Sequence, residues 1–201
     1  MCGRVYMAPA DPELRELVRE MNRSVLASRF GKKEGIPLQP EGEIFPSSVL
    51  PVLAVNKAGE QRVFPMKWGF SGPKGLLINA RAETAAEKAT FREAWKAHRC
   101  VIPASWYFEW EHDEKKKAGQ KYALRPEEQG LIWLAGLYRM EEGLPVFVVL
   151  TRPADESIAW MHDRMPVMLP RSGIGEWIRP ESDPDYALKT CVTRVRWERA
   201  G

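Results

Sequence analysis

The residue with the most distinctive chemistry in this sequence is Cys2, which becomes the first residue once the initiator Met1 is removed. An N-terminal cysteine carries a thiol and an α-amine on adjacent carbons, and the amine, with an ordinary pKa of about 7.7 to 8.0, is partly neutral at cellular pH. This amine can condense with an aldehyde, after which the thiol can close on the same carbon to give a five-membered thiazolidine. A cysteine at a frayed terminus can also be incidental, and its position alone favours that interpretation.

Two further segments carry polar side chains where catalytic groups are often found. Asn79 begins the run Asn79-Ala80-Arg81-Ala82-Glu83-Thr84, which we expect at the junction of a strand and a helix. Helix capping is the alternative role for Asn79. Glu109 lies within an aromatic run, where loss of hydration would raise its pKa and make it a general acid. Strand alternation could instead place Glu109 on the solvent face.

His162 is followed by a carboxylate and a guanidinium, in His162-Asp163-Arg164. Its imidazole titrates near neutral pH and could transfer protons, although a helix cap or an Asp163–Arg164 ion pair also explains the segment. The histidines are far apart and no Cys/His pairing exists, so we expect no metal site. Phosphate-binding glycine loops and GxSxG are absent, which removes the usual support for nucleotide cofactors and serine hydrolases.

The composition is that of a folded domain that could position these groups. The chain has 201 residues, 44% of them hydrophobic and 28% charged, which favours a single domain over residues 1–201. No apolar run approaches the roughly 18 residues of a membrane span, and no signal peptide is evident, so we expect a cytoplasmic protein. Cys2, Cys100 and Cys191 are irregularly spaced, which suits a reducing compartment. The net charge of +3 permits a polyanionic partner.

The apolar pattern predicts many short strands and few helices. Asp11-Pro12 starts a helix whose apolar face is Leu14, Leu17, Val18, Met21 and Val25. Further helices are predicted at residues 83–97, 155–161 and 173–178, and strands at 49–55, 62–68, 76–78, 100–102, 107–110, 122–124, 131–137, 145–150 and 190–195. This order predicts an α+β fold with largely antiparallel sheet. Residues 111–121 are expected to form a solvated hairpin loop, and DNA binding by Lys115, Lys116 and Lys117 is the alternative role of this segment.

Several short motifs occur together in one order along residues 2–170. They are Met1-Cys2-Gly3-Arg4, Pro65-Met66-Lys67-Trp68-Gly69-Phe70, Asn79 to Thr84, Arg99-Cys100-Val101-Ile102-Pro103-Ala104, Phe108-Glu109-Trp110, Ala135-Gly136-Leu137 and His162 to Val167. This combination resembles the SRAP family, the SOS-response-associated peptidase proteins that process abasic sites. The resemblance implies one SRAP domain of curled, barrel-like sheets, with residues 171–201 part of the same domain.

The resemblance also implies a function and a set of site residues. The mature Cys2 would form a thiazolidine crosslink with an abasic site in single-stranded DNA, without cofactor or metal and as a monomer. Asn79 would orient the amine and the sugar, Glu109 would move protons during ring opening, and His162 would assist at the sugar oxygen or leaving phosphate. Removal of Met1 by the protein itself and lyase-type strand cleavage would use the same site. The implied DNA contacts are Arg4, Arg81 and Arg164 on phosphates, Trp68 stacked on a base, and Pro46 in the DNA path.

The sequence departs from the family pattern at two motifs and leaves two alternative functions open. The family commonly has Gly-Phe-Tyr-Glu-Trp where this chain has Trp106-Tyr107-Phe108-Glu109-Trp110, and Asn-x-Ala-Pro where it has Glu43-Ile44-Phe45-Pro46. A peptidase acting on other proteins through Cys2 and His162 is one alternative function. A noncatalytic single-strand binder is the other.

Overall fold

The computed structural model describes residues 2–34, 38, 40–112, 118–127 and 130–201. The helices are α1 (Pro12–Arg23), α2 (Val25–Glu34), α3 (Ala82–Ala85), α4 (Ala89–Ala97), α5 (Ile174–Ile178) and α6 (Pro184–Lys189). The strands are β1 (Val5–Met7), β2 (Gly42–Ile44), β3 (Val49–Val55), β4 (Gln61–Trp68), β5 (Phe70–Gly72), β6 (Gly75–Leu77), β7 (Asn79–Arg81), β8 (Arg99–Ala104), β9 (Trp106–His112), β10 (Ala118–Pro126), β11 (Ile132–Glu141), β12 (Leu144–Pro153), β13 (Arg164–Pro166) and β14 (Val195–Ala200).

A closed barrel forms the centre of the described chain. Its strands follow the order β11-β8-β3-β4-β12, and β12 pairs back with β11 to close the ring. Pairing within the ring is antiparallel except between β12 and β4. Strands β7 and β13 extend the sheet from β12, and a second antiparallel sheet has the order β14-β10-β9-β1-β2. The predicted α+β fold with largely antiparallel, barrel-like sheets is confirmed.

Each face of the barrel strands packs against a different layer. One face joins Leu50, Ile102 and Phe147 to the second sheet, in a cluster of buried residues that contains Cys2. The opposite face joins Leu53, Val101 and Val148 to residues of the helices. Burial on both faces explains why the barrel strands are continuous apolar runs, with β8 buried at every position. Cys2 therefore belongs to the core.

The first helix begins as the sequence predicts. The Asp11 carboxylate accepts hydrogen bonds from the backbone N–H groups of Glu13 and Leu14, and Pro12 occupies the first turn. The helix ends earlier than its apolar pattern indicates, because Ser24 adopts an extended conformation and caps it. Val25 then starts α2 and is 82% exposed, so its predicted place on the buried face of α1 was wrong.

Three other predicted elements differ from the structure. The predicted helix at residues 83–97 is two helices, because Lys88 adopts an extended conformation between α3 and α4. Residues 156–161 form turns instead of a helix. The last strand is β14, five residues later than predicted, because α6, capped by Asp183 and started by Pro184, precedes it.

The short strands could not be predicted from the apolar pattern. Strands β1, β2, β7 and β13 have three residues each, too few to show a periodicity. Much of the predicted loop at 111–121 is strand at the ends of β9 and β10, whereas Lys115, Lys116 and Lys117 lie outside the described residues. The short strands β1 and β7 matter most, because they position Cys2 and Asn79.

Candidate functional site around Cys2

Cys2 is held in the core by the strand that follows it. In the second sheet, Val5 of β1 pairs with Ile44 of β2 on one side and with Tyr107 of β9 on the other. The backbone N–H of Phe108 donates to the Arg4 carbonyl at 2.9 Å, which extends this pairing toward the chain start. Cys2 itself is 0% exposed. This burial contradicts a frayed chain end at Cys2, whereas the chemical role of Cys2 stays a prediction.

Asn79 contacts Cys2 directly. Strand β7 runs parallel to β12, which brings Asn79 beside Val149. The Asn79 side-chain amide donates to the Cys2 carbonyl oxygen at 2.9 Å. Its amide oxygen, Oδ1, is buried and has no hydrogen-bond partner among the described residues. The cap of α3 is Arg81 and uses no side-chain bond, so Asn79 does not serve as a helix cap.

Glu109 and Tyr107 project from β9 toward the same cluster. They are two positions apart on one strand and therefore share a face. Glu109 is 4% exposed, which rules out the solvent-face alternative for this carboxyl group. Tyr107 is 0% exposed, and its hydroxyl is buried without a hydrogen-bond partner in the described structure. Sequence reasoning missed Tyr107, although its spacing of two from Glu109 was a signal that could have found it.

The electrostatics link Cys2, Tyr107 and Glu109. Burial raises the pKa of the Cys2 thiol far above its ordinary value, and the negative charge of Glu109 raises it further. The backbone N–H of Arg4, which donates to the sulfur, acts in the opposite direction. Burial likewise raises the pKa of Tyr107, with contributions from Cys2 and Glu109. At neutral pH the thiol and the phenol are therefore both protonated.

His162 lies in the segment between β12 and β13, and its neighbours in sequence pack against the cluster around Cys2. Met161 and Met165, on either side of it, are buried in the cluster that contains Cys2. The His162 Nδ1 atom accepts a hydrogen bond of 2.9 Å from the Arg164 backbone N–H, and Asp163 Oδ1 lies equally close to it. A backbone N–H can only donate, so Nδ1 is the acceptor and the neutral ring carries its proton on Nε2. The Asp163 carboxylate is 85% exposed, so water weakens its interaction with His162 Nδ1.

Arg164 forms an ion pair, but its partner is not the adjacent Asp163. Its guanidinium contacts both carboxylate oxygens of Glu83 in α3, and it also donates to the Thr151 carbonyl oxygen at 2.8 Å. Hydrogen bonding to Arg164 lowers the pKa of Glu83. The Arg164 side chain is only 11% exposed. This arrangement ties β13 and α3 together across β12 and leaves little of the guanidinium for a phosphate.

A second charged cluster surrounds Glu43 on the neighbouring sheet. The Arg4 guanidinium donates to Glu43 Oε1 at 2.8 Å, and Lys121 Nζ donates to both Glu43 oxygens at 2.9 and 2.8 Å. Burial of Glu43 opposes ionisation, but the hydrogen bonds from Lys121 and Arg4 outweigh it and lower the pKa. Arg4 also lies 4.1 Å from the ring centre of Phe45, which is 46% exposed. Glu43, the departure noted in the sequence, thus organises two cations.

The other predicted DNA contacts fall into two groups. Arg81 is exposed, as a contact with DNA requires, whereas Pro46 is half-buried. Trp68 is 1% exposed, and its indole N–H donates to the Ile78 carbonyl oxygen at 3.0 Å. Its ring also stacks on Phe147 inside the cluster around Cys2. Stacking on a base requires an exposed ring face, so the structure contradicts the predicted role of Trp68 and makes it a core residue.

Two of the sequence motifs have structural roles. Arg99 is 2% exposed and donates to carbonyl oxygens at the end of α4 and around α5, among them those of Trp95, Trp177 and Ser182 at 2.7 to 2.9 Å. Gly136 lies where β11 passes close to its neighbours. A Cβ atom there would come within 2.6 Å of Ile102 Cδ1 and 2.8 Å of the Val148 carbonyl oxygen. These motifs therefore stabilise the fold around the site.

Within the described part of the chain, no cluster of His, Cys, Asp and Glu side chains has the makings of a metal site. None of the described helices combines the length and the apolar character that crossing a membrane requires.

The fold and the site together define a class of protein in which a closed β-barrel carries a buried cysteine at the second position, beside an asparagine and a glutamate. The chain belongs to the SOS response associated peptidase (SRAP) family, whose model matches residues 1–199.

Curated relatives and solved structures agree with this assignment. The chain is 36% identical to the abasic site processing protein YoqW of Bacillus subtilis over 166 residues, 73% of each protein. It is 35% identical to YoaM of the same organism, over 92% of this chain and 83% of that protein, and YoaM is also named an abasic site processing protein. A phage-related protein from Bordetella bronchiseptica has the same fold, with a TM-score of 0.74 at 20% identity over 99% of this chain and 94% of that one.

Proposed function

We propose that this protein processes abasic sites in single-stranded DNA by forming a covalent thiazolidine between the mature Cys2 and the opened sugar. The observation that carries the proposal is the buried cluster of Cys2, Asn79 and Glu109, with Tyr107 on the same face of β9 as Glu109. Support comes also from relatives that are named abasic site processing proteins.

The reaction balances without any further reactant. The Cys2 amine adds to the sugar aldehyde at C1, and the resulting carbinolamine loses one water to give an imine. The Cys2 sulfur then bonds to the same carbon, and its proton passes to the imine nitrogen. The products are a thiazolidine and one molecule of water.

The neighbouring side chains divide the proton transfers. Asn79 fixes the Cys2 carbonyl oxygen and so orients the amine on the same residue. Glu109 accepts a proton from the amine and returns it to the departing oxygen, a role that suits a buried carboxylate next to the sulfur. Tyr107, protonated throughout the neutral range, donates a hydrogen bond to that oxygen. His162, with its proton on Nε2, assists opening of the sugar ring.

The DNA backbone would be held by cations near this cluster. Arg4 and Lys121 share Glu43, so their net charge is positive, and Arg81 is exposed at the end of β7. The ion pair with Glu83 argues against a phosphate role for Arg164, and burial argues against Trp68 as a stacking residue. Removal of Met1 by the protein itself, and strand cleavage by lyase chemistry, are further activities of the same site in this proposal. Met1 lies outside the described residues.

The experiment compares Cys2→Ala with Cys191→Ala on a single-stranded oligonucleotide that carries one abasic site. Cys191 is a partly exposed free cysteine, which makes it a matched control. A denaturing gel should show a shifted protein–DNA band for the wild type and Cys191→Ala, and none for Cys2→Ala. An undiminished band for Cys2→Ala would refute the proposal. Cleavage of peptides in the absence of abasic DNA would instead favour a peptidase.

A further inference from the structure

Two tryptophans that no family motif includes form an exposed aromatic pair. Trp160 is 47% exposed and Trp197 is 46% exposed, and their ring centres are 5.4 Å apart. Both rings pack edge-on against Tyr122, at 5.3 and 5.4 Å, and Tyr122 itself is only 4% exposed. Two half-exposed indoles thus rest on one buried tyrosine.

Local contacts restrict the motion of the pair. The Trp160 indole N–H donates to the Ser157 carbonyl oxygen at 3.0 Å, and the Asp155 carboxylate accepts from the Ser157 hydroxyl at 2.7 Å, which fixes the turn. Trp197 lies within β14 and pairs with Leu124 of β10. Because these contacts already restrict the two rings, stacking of a ligand on them costs little additional side-chain entropy.

The pair borders the candidate site on two independent paths. Tyr122 pairs directly with Glu109 across β9 and β10, so the two side chains are neighbours on one face of the sheet. Along the chain, Trp160 lies two residues before His162, and the buried Met161 between them joins the cluster around Cys2. Both paths lead from the exposed indoles to predicted catalytic residues.

The charge next to the pair indicates what occupies it. Arg199 is exposed, pairs with Tyr122 and lies two positions from Trp197, so both side chains leave β14 on the same face. An aromatic surface beside a cation suits a nucleotide, whose base stacks while its phosphate is neutralised. We infer that Trp160 and Trp197 form a stacking surface for a nucleobase adjacent to the abasic site. This inference rests on the proposed function and extends it to the intact neighbour of the lesion.

The test uses DNA that cannot react. One single-stranded oligonucleotide carries a central tetrahydrofuran, an abasic analogue without an aldehyde, and a second has tetrahydrofuran at the flanking positions as well. Wild-type protein should bind the first more tightly than the second. The double variant Trp160→Leu/Trp197→Leu should bind the first about 5- to 150-fold more weakly than wild type, the range for loss of one stacked base. It should not distinguish the two oligonucleotides.

Controls separate stacking from other effects. Trp160→Phe/Trp197→Phe should recover most of the affinity, and Tyr186→Leu, which removes a 60% exposed ring from α6, should bind as wild type. The salt dependence of binding should not change, because no positive charge is removed. The inference is overturned if the double Leu variant binds the first oligonucleotide as wild type does, or loses equal affinity for both. It is also overturned if sedimentation shows a wild-type dimer that this variant dissociates, since the pair would then be a self-association surface.

The stacking assay contains no aldehyde, so it is readable even if Cys2 forms no crosslink. Conversely, crosslinking measured at saturating DNA tests Cys2 even if the aromatic pair has no role. The two proposals can therefore fail separately.

Discussion

Two buried polar regions of this molecule are built in opposite ways. Around Arg99, the guanidinium N–H groups donate to backbone carbonyl oxygens, so the buried charge is surrounded by acceptors. Around Cys2, the Asn79 amide oxygen and the Tyr107 hydroxyl are buried without hydrogen-bond partners in the described structure. A buried polar atom without a partner costs about 1 to 3 kcal/mol of stability. The first region stabilises the fold, whereas the second retains unused hydrogen-bonding capacity that a substrate can take up.

The variant that tests the difference between the two regions most strongly is Glu109→Gln. We expect crosslinking to an abasic oligonucleotide to slow by about 10²- to 10⁴-fold, the usual contribution of a positioned proton donor or acceptor. Alkylation of Cys2 by iodoacetamide in the Met1-free protein should become faster at a fixed pH, because loss of the Glu109 charge lowers the pKa of the thiol. Site-specific mass spectrometry of the alkylated peptide measures this second effect.

The control is Glu111→Gln, two residues along β9, which should crosslink as wild type does. Equal loss of affinity for the unreactive tetrahydrofuran oligonucleotide would show that Glu109 has a structural role instead.

The corresponding change in the first region is Arg99→Met. We expect the free energy of unfolding to fall by about 3 kcal/mol or more, because several buried carbonyl groups lose their donor. Urea denaturation checks this, with Arg92→Met on the exposed side of α4 as the neutral control. Crosslinking per folded molecule should not change. A specific loss of crosslinking in a stable variant would mean that the two regions are not separate.

Tyr107→Phe sharpens the comparison, because stability and activity should move in opposite directions. Removing a hydroxyl that is buried without a partner should raise the free energy of unfolding by about 1 kcal/mol. Crosslinking should slow about tenfold, the equivalent of one hydrogen bond. The slowing should be uniform from about pH 6 to 9, because the raised pKa of Tyr107 keeps it protonated. Tyr138→Phe is the control, and unchanged crosslinking in Tyr107→Phe would remove this hydroxyl from the mechanism.

The smallest effect concerns Glu43, whose pKa is lowered from its ordinary value because hydrogen bonds from Lys121 and Arg4 outweigh its burial. A carboxyl group whose pKa is lowered by folding stabilises the protein above its unfolded pKa, and this contribution is lost as the pH falls through the folded value. Glu43→Gln should therefore lower the free energy of unfolding near pH 7 by less than about 1 kcal/mol, which is seen as a slightly lower melting temperature. The difference from wild type should shrink below about pH 4. A difference that grows on acidification would contradict this assignment.

The sequence predicts those parts of the molecule whose signals are local or long. The cap of α1 at Asp11 and the continuous apolar strands such as Val49–Val55 follow from residue types and periodicity. The burial of Glu109 among aromatic residues is also confirmed. The three-residue strands could not be predicted, because three positions define no period.

Pairing across the sheet determines the remaining features of the site. The residue opposite Glu109 is Tyr122, and only the register of β9 and β10 reveals this. Likewise, Glu83 is the partner of Arg164, 81 residues away, although Asp163 is adjacent in sequence. Trp68 shows the same limit, since its motif indicated a DNA contact and its packing buries it. Contacts between distant residues depend on register and topology, which residue types alone do not specify.

The central claim is that the free amine and the thiol of one residue, Cys2, together capture the sugar aldehyde. The most direct measurement is the intact mass of Met1-free protein after incubation with a single-stranded oligonucleotide that contains one abasic site. The account predicts one adduct whose mass is the sum of protein and oligonucleotide minus one water, and whose attachment maps to Cys2. An equal yield of adduct from protein with a blocked or extended N-terminus, or an adduct that maps to another residue, would contradict it.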